Sequence, residues 1–278
     1  MTLIYVVILA GIFGAIGQFV DKHITNIGAS KNDYFYYMCA TMIPFAIIMV
    51  VVEYFTGQLR FEFSIISVIL LILAMFLRYY KQHTIVGCLK YLNPYEDSAY
   101  LTLGIVIAFI IDILLGTEEL KLGAVLSILL TLIGVFIIAN SKLKIKNLQK
   151  DLFIRILTSL AMSYITYFML QYWSNAVFIL ILNLLLTIIF TKNYTFEYHK
   201  KNKKILKWCF IQQIFGFIAL YLSNYLASNS VTLSSYVRPT SILVVLIISM
   251  FFKDATKKPT FKQIVGIIFV MIGILLIN

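Results

Sequence analysis

Cationic side chains stand inside apolar stretches of this sequence at two places. Arg78, Lys81 and His83 interrupt one stretch, and Arg238 stands at the start of another. Arg78 and Lys81 are three residues apart, so a helix would place them on one face together with Gln82. Arginine binds a carboxylate or phosphate through two parallel donors, and lysine adds a mobile point charge. Arg78, Lys81 and Arg238 are therefore candidates for binding an anionic or zwitterionic solute.

Titratable side chains close to these cations are candidates for coupling solute movement to protons. They are His83, Glu96 and Asp97. Glu96 and Asp97 follow Pro94, and a carboxylate in the first turn of a helix is stabilised there without any role in transport, so both interpretations stay open. Three other acids, Asp21, Glu53 and Asp112, lie near the ends of apolar runs. They could be acidic partners of the cations or could only mark the membrane interface.

Two later segments carry tyrosines and amides at helical spacing. Such a polar face could hydrogen-bond a solute or hold an organic cation against aromatic rings. Interhelical hydrogen bonds and interfacial aromatic belts are the alternative, and we favour it for any single tyrosine. The candidates are Tyr164, Tyr167 and Gln171 in the first segment and Tyr221, Asn224 and Tyr225 in the second.

Composition places these candidates in a membrane protein. Hydrophobic residues make up 61% and charged residues 13% of the 278 positions, and the mean hydropathy is +0.93. A soluble domain carries roughly 25% charged residues. The net charge of +11 comes from lysines clustered beside apolar runs, which is a topology signal and does not predict a nucleic-acid partner. The three cysteines lack metal-site spacing, so we expect no metal and no cofactor.

Hydropathy predicts an all-α integral membrane protein with ten transmembrane helices. The predicted spans are 3–21, 34–56, 65–91, 95–115, 122–140, 152–171, 174–191, 208–228, 233–252 and 261–277. The third span must continue past Leu77 to be long enough, which carries Arg78, Lys81 and His83 into the membrane. Lys81 and His83 could then extend to the interface while Arg78 pairs with an acid, which is the structural alternative to a binding site.

Basic residues predict the orientation of the chain. Lysines and Arg155 concentrate in the connections that follow odd-numbered spans, whereas the opposite connections hold only Arg60 and Lys121. The positive-inside rule then makes the lysine-rich connections cytoplasmic and puts both termini outside the cytoplasmic membrane.

The two halves of the chain are related. Residues 134–140 align with residues 273–278, each after a short loop and an apolar helix. We predict a first five-helix repeat at 1–141 and a second, inverted repeat at 142–278, because an odd number of spans per half reverses the second copy.

Several segments resemble the drug/metabolite transporter superfamily, in particular its ten-helix EamA-like members. The resemblance rests on Cys88–Ser98, on Leu114–Leu120, on Tyr236–Pro239 and on Phe252–Asp254. It implies the ten-helix inverted-repeat fold and a transport function, without implying a substrate. The sequence departs from the family in three ways. The first half has no proline matching Pro239, and the connection between spans 9 and 10 is longer and more basic than its counterpart. The predicted outward termini also oppose the cytoplasmic termini common among relatives.

The leading expectation is a secondary transporter of a small polar metabolite that works by alternating access and is not an enzyme. Membrane lipids and possible coupling protons complete the expected partners, and the oligomeric state stays open. A translocase subunit for a lipid-phosphate carrier is one alternative, because intramembrane cations could also hold a lipid phosphate. An efflux pump for aromatic or cationic compounds is another, which suits the tyrosines but not the cations.

Overall fold

The computed structural model describes residues 3–138, 146–251 and 260–276. Within these ranges the chain forms helices and no β-sheet, with one isolated bridge between Phe61 and Trp173. The helices are α1 Leu3–Asn26, α2 Lys31–Phe55, α3 Ile65–Leu89, α4 Pro94–Thr102, α5 Gly104–Leu114, α6 Leu122–Ile138, α7 Lys146–Met169, α8 Asn175–Phe190, α9 Phe196–Lys201, α10 Lys203–Ala227, α11 Val231–Ser235, α12 Val237–Phe251 and α13 Phe261–Leu275.

Six helical segments are long and apolar enough to cross a membrane: α1, α2, α3, the α4–α5 pair, α7 and α10. The apolar helices α6, α8 and α13 are shorter. Helices occupy all ten predicted segments, although the boundary between the predicted halves at 141/142 lies outside the described residues. The apolar helices indicate a multi-pass membrane protein, and the count of ten spans stays a prediction.

Large apolar side chains cover the outside of the bundle. Ile48, Ile72, Phe76, Phe136 and Ile188 are each at least 60% exposed. Exposed apolar surface on this scale is unfavourable in water and is expected for helices that face lipid.

Helix α3 continues through the cationic stretch, which confirms that prediction, and it ends at Leu89. Pro94 then occupies the first turn of α4, where its missing N–H costs nothing. The Glu96 carboxylate accepts a hydrogen bond of 2.8 Å from the backbone N–H of Asn93 and so helps to cap α4.

Three pairs of helices are separated by a single residue: α4 and α5 at Leu103, α9 and α10 at Asn202, and α11 and α12 at Tyr236. Pro239 explains the interruption at Tyr236, because it lacks an N–H and its ring would collide with the carbonyl of Ser235 in a regular helix. The first interruption precedes Gly104, which disfavours a regular helix only mildly.

Buried carboxylates join the ends of several helices. Asp112, at the end of α5, accepts hydrogen bonds from Tyr164 and from the backbone N–H of Thr232 at 2.8 and 2.7 Å. Glu53, at the end of α2, accepts from Tyr221 and from the backbone N–H of Ala176 at 2.8 and 3.0 Å. Each carboxylate therefore caps another helix and fixes a tyrosine.

The acids at the ends of apolar runs are buried between helices, and their position at the membrane interface stays a prediction. Asp21, Glu53 and Asp112 are exposed by only 7%, 3% and 1%. They are buried because each accepts hydrogen bonds from groups on other helices, which compensates for the loss of water.

Candidate functional site

A cavity of about 210 Å³ lies inside the helix bundle. Helices from both predicted halves form its wall, including α1, α2, α3, α7, α8, α10 and α12. Four cationic side chains line it: Arg78, Lys81, Arg155 and Arg238. The structure thus brings the three predicted cations together and adds a fourth.

Helix α3 carries Arg78 and Lys81 on the face that lines the cavity. Ala74, one turn before Arg78, belongs to a buried apolar cluster with Phe178 and Leu182 of α8, so packing fixes this face of α3. Arg78 is 6% exposed, and its Nε has no hydrogen-bond partner among the described residues. Neither Arg78 nor Lys81 forms an ion pair with a described acid.

Arg155 differs from the other cations because it has an acidic partner. Its Nη1 lies 2.5 Å from Oδ1 of Asp97, and both side chains are at most 4% exposed. The sequence-based placement of Arg155 in a cytoplasmic connection is wrong, since α7 begins at Lys146 and buries it. Asp97 neutralises this cation, whereas Arg78, Lys81 and Arg238 form no ion pair with an acid among the described residues.

Arg238 enters the cavity from the second residue of α12. The amide of Gln18 is best oriented with its oxygen toward Arg238, which then donates to it at 3.1 Å, while the amide nitrogen donates to Ser98 at 2.7 Å. A neutral amide orients the guanidinium without cancelling its charge, and the remaining donors stay free for a ligand.

Asp21 is the one carboxylate among the described cavity-lining residues. Its Oδ1 accepts a hydrogen bond of 2.8 Å from the hydroxyl of Tyr34, and the Gln212 amide lies beside the same carboxylate. No described lysine or arginine lies within ion-pair distance of Asp21. Among the described residues, the cavity therefore presents three basic side chains without an ion-pair partner and one carboxylate.

The predicted tyrosine and amide wall is largely separate from this cavity. Tyr164 and Tyr221 donate their hydroxyls to Asp112 and Glu53, as described above. Of the six residues predicted for that wall, Asn224 alone lines the cavity, and its amide also donates to Asn175 at 2.8 Å.

The other members of that set lie elsewhere. Tyr167 packs beside a small apolar cluster around Leu160, Gln171 is exposed at the turn after α7, and Tyr225 is 49% exposed. Their positions favour the structural alternative for these side chains.

None of the three coupling candidates lines the cavity. His83 hydrogen-bonds Asn32 through Nε2 at 2.8 Å and the carbonyl of Tyr79 through Nδ1 at 2.9 Å. Glu96 helps to cap α4, and Asp97 reaches the site only through Arg155.

Buried polar residues complete the wall. They are Gln18, Asp21, Asn183, Gln212 and Gln213. The sequence only weakly indicates Gln18 and Asp21 of α1 as cavity residues, and it does not single out the other three. A single amide in an apolar run is weak evidence for a binding site. Four amides in predicted transmembrane segments are stronger evidence, because polar side chains are costly in lipid and usually face the interior of the bundle.

Metal chemistry finds no support in the part of the chain that the structure describes, since no three His, Cys, Asp or Glu side chains there are grouped as ligands. Cys39, Cys88 and Cys209 are buried free thiols. A scan against protein-family models finds none that matches this chain, and a search of curated proteins finds no match either. Function must therefore be inferred from the cavity itself.

Proposed function

We propose that this protein is a secondary transporter that moves a small anionic or zwitterionic metabolite across the cytoplasmic membrane. The observation that carries the proposal is the convergence of Arg78, Lys81 and Arg238 on one interior cavity, where none of them forms an ion pair with a described acid. A buried cation is costly unless an opposite charge compensates it. A bound anion supplies that compensation, and the arginine guanidinium matches a carboxylate or phosphate with two donors.

The size of the cavity favours a small solute. At about 210 Å³ it lies below the roughly 300–1,000 Å³ typical of sites for drug-sized ligands. A lipid-linked phosphate carrier would need a larger site or one open to lipid, and efflux of organic cations conflicts with a cationic wall. A metabolite transporter therefore fits the cavity better than either alternative.

Alternating access requires two halves that can move against each other. The packing of α6 on α13 supports a division of the chain into two related halves. A Cβ on Gly134 would collide with Gly266 and Val270, and a Cβ on Gly273 would collide with Ser127 and Thr131. Gly273 follows Gly134 by 139 residues, and Gly266 follows Ser127 by the same number. The two contacts are therefore equivalent, with the roles of α6 and α13 exchanged. This is the pattern expected of two copies of one repeat packed on each other.

The direction of the same contact supports inversion. Gly134 meets Gly266 near the start of α13, whereas Ser127 meets Gly273 near its end, so α6 and α13 run antiparallel. Equivalent helices that run antiparallel are related by an axis perpendicular to them, which lies in the membrane plane. We therefore propose ten spans in two inverted repeats, as in the drug/metabolite transporters that the sequence resembles.

Ligand-dependent stabilisation of the purified protein tests the proposed site. The panel contains carboxylates, phosphate esters, amino acids and quaternary amines, each tested by thermal unfolding in detergent. A ligand at 100 times its Kd should stabilise the folded state by about 2.7 kcal/mol. We expect stabilisation by one class of anion or zwitterion, its loss in Arg78→Ala, and its retention in Lys121→Ala, which removes an exposed cation.

Two results would contradict the proposal. One is stabilisation by quaternary amines alone. The other is equal stabilisation of Arg78→Ala and the natural protein by the same anion.

A further inference from the structure

Four buried amide oxygens on the cavity wall have no hydrogen-bond donor. One belongs to Gln82 of α3, next to Lys81, and this residue is 3% exposed. The other three belong to Asn183 of α8 and to Gln212 and Gln213 of α10, which are exposed by 1%, 7% and 0%. Within the described part of the chain, none of these oxygens accepts a hydrogen bond. Buried acceptors are nearly always satisfied in folded proteins, so the three that share the α8 and α10 side of the cavity point to a ligand that donates.

Local hydrogen bonds fix the direction of two of these amides. The nitrogen of Asn183 donates to the carbonyl of Ile179 at 2.7 Å, and the nitrogen of Gln213 donates to the carbonyl of Met38 at 3.0 Å. Rotating either amide would set its oxygen against a carbonyl oxygen. The nitrogen is therefore anchored and the oxygen is left as an acceptor.

Gln212 lies beside a charged group, the carboxylate of Asp21. An ionised carboxylate favours the amide nitrogen on its side, which leaves the Gln212 oxygen as an acceptor. Tyr34 also donates to Asp21. This part of the wall thus combines amide oxygens with a carboxylate, and all of these groups are acceptors.

Helix packing brings the acceptors to one level of the bundle. Ile179 of α8, Met42 of α2 and Phe217 of α10 belong to one buried cluster. One helical turn from these residues lie, in the same order, Asn183, Met38 and Gln213. Glu53 contacts the start of α8 and the end of α10, so α8 runs antiparallel to α2 while α10 runs parallel to it. One turn along each helix therefore leads toward the same layer.

We propose that the substrate is a zwitterion of about the size of an amino acid, which rests on the proposed transport function. Its carboxylate or phosphate binds Arg78, Lys81 and Arg238. Its ammonium group donates to the oxygens of Asn183, Gln212 and Gln213 beside Asp21. An ammonium has three donors and no acceptor, which matches an acceptor-only wall, and the opposite charges of the ligand match the two parts of the cavity.

Matched ligand pairs that differ only in the amino group test this inference. The pairs are glutamate with glutarate, alanine with propionate, and phosphoethanolamine with ethyl phosphate, measured by calorimetry on the full-length protein in detergent. The zwitterion of the preferred pair should bind about tenfold tighter than its partner, since charge-assisted hydrogen bonds to the ammonium exist only for the zwitterion.

Variants assign this preference to the amides. Asn183→Leu and Gln213→Met remove an acceptor oxygen at nearly constant volume, and each should reduce the tenfold preference while leaving the affinity for the amino-free anion unchanged. Gln58→Leu, at an exposed position, should change neither value. Retained binding of the amino-free anion shows that a variant is folded. If one of the two variants does not fold, the other one tests the inference.

The outcomes separate this inference from the function on which it rests. Equal affinity within every pair, or a full preference in both amide variants, would overturn the zwitterion assignment while leaving anion transport intact. If neither member of any pair binds, the proposed function fails.

Discussion

Arg155 and Asp97 form a buried ion pair at the edge of the cavity. Removing one partner of such a pair leaves an uncompensated buried charge, which typically costs about 3–5 kcal/mol. Asp97→Ala should therefore strongly lower the thermal unfolding temperature in detergent. The double variant Asp97→Leu/Arg155→Met should recover most of the loss, because it removes both charges.

This prediction bears on the role of Asp97. An Asp97→Ala protein as stable as the natural one would show that Arg155 does not need Asp97. Asp97 would then again be a candidate for coupling transport to protons.

Arg78 and Lys81 should contribute unequally to transport. Arg78→Ala should abolish uptake of the substrate at matched expression, and Arg78→Lys should restore little, because lysine cannot supply the two parallel donors of a guanidinium. Lys81→Ala should reduce uptake less, since water more easily replaces a single mobile charge. Normal uptake by Arg78→Ala at equal abundance would refute the cationic site.

At the level of single residues, the sequence predicts the cations of the site better than the groups around them. Arg78, Lys81 and Arg238 are conspicuous because charges are rare in apolar helices, and the structure places all three at the cavity. The spacing of Tyr164 and Tyr221 predicts a shared polar face but not the acids that they contact. Those partners come from distant segments, which local spacing does not encode.

Among the elements, α6 and α13 make a close contact that depends on glycine. A Cβ on Gly134 would overlap the carbonyl oxygen of Gly266, whereas a Cβ on Gly123 would meet its nearest atom, the carbonyl oxygen of Leu276, at an ordinary 3.5 Å. Gly134→Ala should therefore destabilise the protein by about 1–3 kcal/mol through overpacking, and Gly123→Ala should change stability by less than about 0.5 kcal/mol.

Thermal unfolding of the two alanine variants side by side gives the comparison. Alanine raises helix propensity more at Gly134, in the interior of α6, than at Gly123 in its first turn. A lower stability of Gly134→Ala therefore reports the contact despite this gain. Equal stability of the two variants would rule out close packing of α6 on α13, and with it the main support for the repeat relation.

Hydropathy predicts where the helices lie but not how each one is interrupted. Pro239 signals the break between α11 and α12 in the sequence itself. The break at Leu103 carries no such signal, since Gly104 alone disfavours a helix by only about 1 kcal/mol. Helix α3 ends at Leu89, two residues before the predicted end, because the turn toward Pro94 begins earlier.

For the whole molecule, the asymmetry of basic residues predicts the orientation. Burial of Arg155 removes one charge from the predicted cytoplasmic side, and the lysine clusters keep the asymmetry strong. Because the three natural cysteines are buried, single cysteines introduced as Lys121→Cys and Lys201→Cys can report the two faces. A membrane-impermeant maleimide should label Lys121→Cys in intact cells and Lys201→Cys only after permeabilisation.

The reverse labelling pattern would invert the orientation. It would bring the termini to the cytoplasmic side, as in most members of the family that the sequence resembles. The fold and the cavity would be unaffected.

Solute counterflow in proteoliposomes tests most directly whether the interior cavity carries a solute across the membrane. Vesicles loaded with the unlabelled ligand that best stabilises the protein should transiently accumulate the same labelled ligand from outside. Accumulation should persist in Lys121→Ala and be lost in Arg78→Ala, whose vesicles must hold equal amounts of folded protein. A tightly bound ligand that shows no counterflow in the natural protein, or counterflow that survives Arg78→Ala, would contradict the account.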